Sequence, residues 1–342
     1  MDELRSDKRV LTKPAEQFDF GEEKWGVLFL NRGGPENPDE VEEFLYQLYS
    51  DTSINEQPLS ILLQKPLAKI LSSHRSEEIA KQFTAIGGSP LLRWTRLIAS
   101  NVKRELSKRY PQVEIFAGMR YSEPTIPDEL EAALDEGCRH IILFSMYPHY
   151  SKAITGAVFE PVVDWLDDYD GTVTFSIIDN WAHRPEFISF LRSRIASAME
   201  LIDKSRPYKM LFVADSVTEQ VIEDDSSYLT KLRATASAAG EGYDHILTFQ
   251  KWDDSEDIVS PDTEATIAQL AAQGIEQLVI VPVSFVSDHL GTLYHIDIEL
   301  KRVARKAGIE TFVRTESFND DIPFAAFLAD LIEEKTAEDE SV

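Results

Sequence analysis

The sequence predicts an α/β protein of two similar doubly wound domains, each built on a four-stranded parallel sheet. Three observations carry that expectation. Eight short apolar runs alternate with amphipathic stretches along the chain. The runs are apolar nearly throughout rather than alternating with polar residues, as strands covered on both faces require. Four of them precede about residue 180 and four follow it, so one strand–helix pattern occurs twice, and two doubly wound domains is the economical arrangement.

The first four strands read "WGVLFLN" (25–31), "EIFAGMRY" (114–121), "HIILFSMYP" (140–148) and "TVTFSIID" (172–179). The second four read "KMLFVAD" (209–215), "HILTFQ" (245–250), "QLVIVPVSF" (277–285) and "IETFVRT" (309–315). Helical patterns lie between them, among them "DELEAALDEGC", "RPEFISFLRSRIASAME" and "TEATIAQLAAQG", the last closed by a C-terminal glycine. A flexible leader is expected over 1–23, an N-terminal domain over 24–180 and a C-terminal domain over 181–333. The last helix is free to pack back on the first domain, and the acidic tail 334–342, short of core residues, is expected to fray. A hinge is expected between about 170 and 207, where "DKSRPYKM" leads into the second set of strands.

Composition excludes several classes of protein. The single cysteine, Cys138, can neither close an internal disulfide nor hold an iron–sulfur cluster, which takes several thiolates. The opening residues have no apolar run of signal-peptide length, and no stretch approaches the roughly 20 apolar residues that span a membrane. A cytoplasmic, reducing location with no transmembrane segment is therefore expected. A net charge of −26 repels nucleic acid and anionic lipid, so no nucleic-acid partner is expected.

Open α/β sheets bind ligands beyond the carboxyl ends of their strands. The residues to watch are therefore Asn31 to Pro35, Arg120 and Tyr121, Tyr147 to Ser151 with Tyr150 between them, Asp215 to Thr218, and Ser287 to His295. "NRGGPENPDEVEEFL" sets a glycine pair between strand and helix, but it lacks G-x-G-x-x-G and any P-loop lysine, which favours a tight turn with close ligand approach over a nucleotide site. "GGSPLL" (87–92) is a second glycine turn opening a helix. The absence of C-x-x-C, H-E-x-x-H and G-x-S-x-G removes the usual support for zinc peptidases and serine hydrolases. On a helix beginning near Ser287, the residues Asp288, Gly291 or Thr292, His295 and Glu299 share one face. His295 and Glu299 either hold a divalent metal together or form an exposed, mildly stabilising pair. His289, off that face, is either a site residue or a satisfied core histidine. Arg120 and Tyr121 either clamp a carboxylate or form an interdomain ion pair.

These residues in this order resemble the ferrochelatase family, whose members insert ferrous iron into a porphyrin. "VLFLNRGGPENPDEVEEFLYQLYSD" resembles the family's opening strand and helix, and "FTAIGGSPLLRWT" its glycine–serine–proline lip. "GMRYSEPTIPDEL", "YPHYSKAITGA" and "VPVSFVSDHLGTLYHIDIEL" are similarly placed, and the resemblance runs from about residue 25 to 333. It implies a porphyrin cleft between two similar domains, porphyrin or haem as the bound partner, Fe2+ as substrate or ligand, and no bound organic cofactor. Because the family includes monomers and dimers, a homodimer or association with another haem-pathway protein stays open.

The resemblance also exposes departures. The family's S-A-H-(G/S)-(L/V)-P motif, whose histidine receives pyrrole protons or metal, is matched here by "VADSVT", which puts Asp215 in the histidine position. The helix motif S-(D/E)-H-(I/L)-E-T-L is matched by "SDHLGTL", with Gly291 in the position of the catalytic glutamate. One helical turn on, His295 stands where many members carry an acid, and Glu299 matches another acid of that face. Arg32 replaces an apolar residue of the porphyrin pocket, and "FQKWDDSEDIVSP" lacks the S-R-V-G-P-x-x-W pattern. Asp215 is a shorter acceptor whose reference pKa is about 2.6 below that of histidine, and Gly291 supplies no base. The expected porphyrin-binding residues are Asn31, Arg32, Arg120, Tyr121, Tyr147, Tyr150, Ser151 and Ser287. The expected catalytic positions are Asp215, Gly291 (its function lost) and His289, and the expected metal ligands are His295, Glu299, Asp215 and His289. Three functions follow: a catalytically silent tetrapyrrole binder, an active enzyme with relocated groups, or a protein acting on a different, more anionic tetrapyrrole.

Overall fold

The computed structural model describes residues 18–51, 61–217, 222, 226–251 and 259–340, with side chains from 64 onward in the second segment. Leader residues 1–17, Thr218 of "VADSVT", residues 252–258 of the "FQKWDDSEDIVSP" stretch and the last two residues of the tail lie outside that description.

The apolar runs form two sheets of identical topology. The first contains β1 (Trp25–Asn31), β2 (Val113–Met119), β3 (His140–Ser145) and β4 (Thr174–Ile178), in the order β2-β1-β3-β4. The second contains β5 (Tyr208–Asp215), β6 (His245–Gln250), β7 (Gln277–Pro282) and β8 (Thr311–Arg314), in the order β6-β5-β7-β8. Every neighbouring pair is parallel. The central strands β1, β3 and β7 are buried almost without interruption, which is why their sequences carry no alternation.

In the first half the connecting helices are α1 (Val41–Ser50), α2 (Ile61–Ile86), α3 (Leu91–Leu106), α4 (Ile126–Asp135) and α5 (Ala157–Asp168). In the second half they are α6 (Pro185–Met199), α7 (Ser227–Ala239), α8 (Thr263–Ala272) and α9 (Lys301–Ala307), and α10 (Ile322–Glu340) ends the chain. The caps have local causes. Asp262 accepts from the Ala265 amide at 2.7 Å to open α8, and Gly274, at φ +86°, stands just beyond its end.

Contacts divide the chain into two compact units. The first comprises residues 1–147, 152–179 and 318–342, and the second comprises 148–151 and 180–317. Helix α10 belongs to the first. Asn101 donates to the carbonyl of Asp320 at 3.1 Å, and the hydroxyls of Tyr110 and Thr336 meet at 3.1 Å. In the second unit Leu211, Val213, Leu278 and Ile280 of the sheet pack with Ile267 and Ile296 from its helical layer.

Three local expectations are corrected. The part of the leader that is described is anchored: Phe20 is buried edge-on against Trp25, whose indole donates to the Phe20 carbonyl at 3.0 Å. The acidic tail does not fray before residue 340. The apolar stripe of α10 through Phe324, Leu328, Leu331 and Ile332 continues into the tail at a fully buried Thr336, and Asp339 accepts from Ser176 and pairs with Lys335 at 3.0 Å. The third correction is a change of winding, from the expected α-helix after β7 to a π-helix over Gly291–Leu300.

Candidate functional site

In each sheet the chain leaves the first strand toward opposite edges, so the switch point lies between β1 and β3 in the first unit and between β5 and β7 in the second. Ligands of open α/β sheets bind outside the carboxyl ends at such points. Most of the sequence-selected residues lie at these ends.

In the first unit Asn31 is buried at the end of β1. Its amide donates to Thr95 at 3.2 Å, and its side-chain oxygen accepts from the Arg32 amide at 2.9 Å. Arg32 is half-buried, and two glycines follow it. Gly33 has φ +83°, and a Cβ there would lie 2.3 Å from the Ser122 hydroxyl. The two glycine turns seen in the sequence dock on one another: the Ser89 amide donates to the Pro35 carbonyl at 2.8 Å, and a Cβ at Gly88 would lie 2.1 Å from the Glu36 carbonyl oxygen. The glycines thus allow a tight turn in which the chain approaches itself closely.

Arg120 and Tyr121 do clamp a carboxylate, but it is the chain's own. Asp51, at the end of α1, accepts from Arg120 Nε at 3.1 Å, from Nη2 at 2.9 Å and from the Tyr121 hydroxyl. Arg120 also reaches Glu160 at 3.2 Å. All four groups lie in one unit, which corrects the interdomain alternative. Burial and the adjacent Asp51 charge both push the Tyr121 phenol upward. Burial works against the Arg120 charge, and Asp51 more than compensates. Arg120 and Tyr121 are thus held by Asp51, a partner the strand-end rule could not reveal because it follows a helix rather than a strand.

After β3 the chain passes through a buried Tyr147 and then Tyr150 and a buried Ser151, and it enters a five-residue π-helix, Lys152–Gly156, before α5. His149, between the two tyrosines, is buried with Nε2 2.9 Å from the Thr235 hydroxyl. Burial, aided by the Lys231 charge, lowers its pKa to about 3. Lys231 lies 5.0 Å above the Tyr150 ring.

In the second unit Asp215 is the last residue of β5 and is buried. Its amide donates to Ser284 at 3.1 Å, tying the ends of β5 and β7 together. Ser287 is buried, and its carbonyl lies 3.2 Å from Nδ1 of His289. His289 is itself buried, with its ring 3.9 Å from that of Phe285. Gly291 is buried and opens the π-helix. The i→i+5 bonding of a π-helix widens the turn by roughly one residue, which keeps i,i+4 neighbours together and parts i,i+3 neighbours. His295 and Glu299 accordingly meet, Nδ1 to Oε2, at 2.7 Å. The pair is not exposed as its stabilising alternative supposed: His295 is buried and Glu299 half-exposed. Burial lowers the His295 pKa, and Glu299 partly offsets that.

Among the described residues no group of three or more His, Cys, Asp or Glu side chains is placed to hold a metal ion. Of the expected set of Asp215, His289, His295 and Glu299, the contact seen is the one between His295 and Glu299. Members of the set come from the end of β5, the loop after β7 and the π-helix. Sequence reading also missed Arg314, the last residue of β8, which binds Asp297 bidentately at 2.9 and 2.9 Å and reaches Asp288 at 3.1 Å. A charged residue closing an apolar strand was the available signal.

Fold and site together define an α/β protein of paired four-stranded parallel units, with polar residues gathered at both switch points. Among solved structures it resembles SirB from Bacillus subtilis with Fe3+ (TM-score 0.54, 14% identity, covering 93% of this chain and 98% of that one). It also resembles CbiX, the terminal enzyme for biosynthesis of siroheme in denitrifying bacteria (TM-score 0.52, 13% identity, 90% and 98%). At those identities the likeness concerns the fold. In sequence the chain matches the Ferrochelatase family model over residues 24–336. It is 34% identical over 319 residues to a ferrochelatase of Geobacter sp. (strain M21), covering 92% of this chain and 98% of the relative. It is 31% identical over 334 residues to the mitochondrial ferrochelatase of Gallus gallus, with coverage of 94% and 82%. The chain belongs to the ferrochelatase family. No helix among the described residues is long and apolar enough to cross a membrane.

Proposed function

We propose that the chain binds a tetrapyrrole as a ferrochelatase-family protein of haem biosynthesis, with little or no Fe2+ insertion by the family's usual route. The observation that carries this is Gly291. The buried first residue of the π-helix has no side chain to act as a base, at the position where the family resemblance calls for glutamate. Metallation must remove two pyrrole protons, and a positioned base is commonly worth on the order of 10²–10⁴ in rate. Asp215 alone, a carboxylate in place of an imidazole, is the weaker acceptor by type. The strand-end residues Asn31, Tyr147, Tyr150, Ser151 and Ser287, together with Arg32 as a departure from the family's apolar pocket, support ligand binding.

The His295–Glu299 contact supports a second reading: an active enzyme whose iron delivery has moved along the π-helix, with Asp215 and His289 as proton acceptors. Titrating the purified protein with protoporphyrin, coproporphyrin and haem, followed by tryptophan quenching and the Soret band, tests binding. An anaerobic Fe2+ insertion assay on the same samples separates the two readings. Saturable binding with insertion at the uncatalysed rate supports the binder. Insertion well above that rate supports the relocated enzyme, and no saturable binding overturns both.

A further inference from the structure

We propose that Arg314 is a positioning residue that holds the π-helical segment, and with it His289 and His295, in place at the end of the second sheet. Its guanidinium binds both oxygens of Asp297, inside the π-helix, through Nε and Nη2 at 2.9 Å each. The remaining nitrogen, Nη1, reaches Asp288 just before the helix at 3.1 Å. Ser317 donates to the same Asp288 oxygen at 2.8 Å. The fork geometry of arginine makes this a clamp in two directions, which a lysine point charge cannot reproduce.

The placement gives the clamp its consequence. Asp288 immediately precedes His289, and Asp297 lies between His295 and Glu299. A π-helix closes wider turns with i→i+5 bonds and is rarely sustained beyond a single turn, so a ten-residue one needs tertiary restraint. Arg314 supplies it from β8, with only 11% of its side chain exposed. The Asp288 leg, 15% exposed, is largely shielded from the solvent screening that makes surface ion pairs weak, whereas Asp297, 35% exposed, feels part of it.

The effect on ligand rests on the tetrapyrrole-binding reading, whereas the clamp itself can be read without a ligand. Arg314→Met, Arg314→Lys and Asp297→Asn are compared with the wild type by amide hydrogen exchange, following a peptide over 291–300 against one over 277–282 (strand β7). In Asp297→Asn, exchange over 291–300 rises about tenfold, on the scale set by losing one charge-assisted pair. The β7 peptide is unchanged, and Arg314→Lys falls between Asp297→Asn and the wild type. Protoporphyrin binding by Asp297→Asn weakens about tenfold, and the Soret maximum of the bound pigment moves. Unchanged exchange over 291–300, or an equal rise in both peptides, overturns the clamp. Local exchange that rises while porphyrin affinity and the Soret maximum stay at wild-type values overturns the positioning role. If the wild type binds no porphyrin, the function reading fails while the exchange result still decides the clamp. If Arg314→Met does not fold, the two milder variants, each removing one leg, carry the test.

Discussion

His295 Nδ1 lies 2.7 Å from Glu299 Oε2, so the one imidazole–carboxylate pair resolved on the π-helix couples a buried group to a half-exposed one. Burial disfavours the imidazolium and Glu299 favours it, with burial the larger effect. His295 is therefore expected to titrate below the usual value for histidine. Glu299→Gln, which removes the opposing charge, should lower its pKa further. A proton–nitrogen NMR titration of the imidazole checks this, and an upward movement in Glu299→Gln would show that the pair is not formed in solution.

The buried His149 makes stability pH-dependent in a stated direction. Its folded pKa of about 3 lies below the unfolded value of about 6.5, so the neutral ring contributes stability that is complete above pH 6.5 and is lost as pH falls toward the folded value. Between pH 6.5 and pH 5 the loss is about 1.6 kcal/mol, as proton uptake by the unfolded ring rises from one half toward one. His149→Gln, which keeps an amide donor for Thr235, should flatten that part of the curve. Urea midpoints at pH 7 and 5 measure it, and parallel curves for the two proteins would contradict it.

The docked glycine turns predict an ordering. Gly88→Ala meets both a φ of +89° and a Cβ position 2.1 Å from a backbone oxygen, whereas Gly87→Ala meets a φ of +81° with open space around it. The first should cost more than about 2 kcal/mol and the second about 1 kcal/mol. Thermal unfolding of both variants checks this, and equal losses would mean the turns do not touch.

The Asp51 clamp should behave as a buried ion pair. Arg120→Met alone should cost about 3 kcal/mol, because it leaves the buried Asp51 charge with only the Tyr121 hydroxyl, Asp51→Leu should cost less because Arg120 keeps Glu160, and the double variant should cost less than the sum of the two. A double-mutant cycle in urea checks this, and additive losses would contradict it.

Much of the fold was legible because parallel strands covered on both faces have a plain signature. "WGVLFLN" and "HILTFQ" coincide with β1 and β5's neighbour β6 residue for residue, and the remaining strands differ only at their ends. The strand-end rule also pointed to Asn31, Asp215 and Ser287, all of which are buried at or after strand ends. What it missed depends on tertiary contact. No local pattern says that Asp51, just past the end of a helix, meets Arg120, or that Arg314 meets two aspartates nine residues apart. The π winding was equally hidden, since the i,i+4 spacing of His295 and Glu299 suits either kind of helix. Phe20 and Thr336 were lost among polar neighbours, and only their burial in the first unit shows that they belong to its core.

The central claim is that Asp215 and Gly291 together limit metal insertion. Restoring both groups in Asp215→His combined with Gly291→Glu, and measuring anaerobic Fe2+ insertion into protoporphyrin and coproporphyrin, tests it most directly. The prediction is turnover at least about 10²-fold above the wild type, on the scale of one restored acid–base group, with porphyrin affinity little changed. A wild type that already turns over well above background, and that loses activity in the double variant, would contradict it.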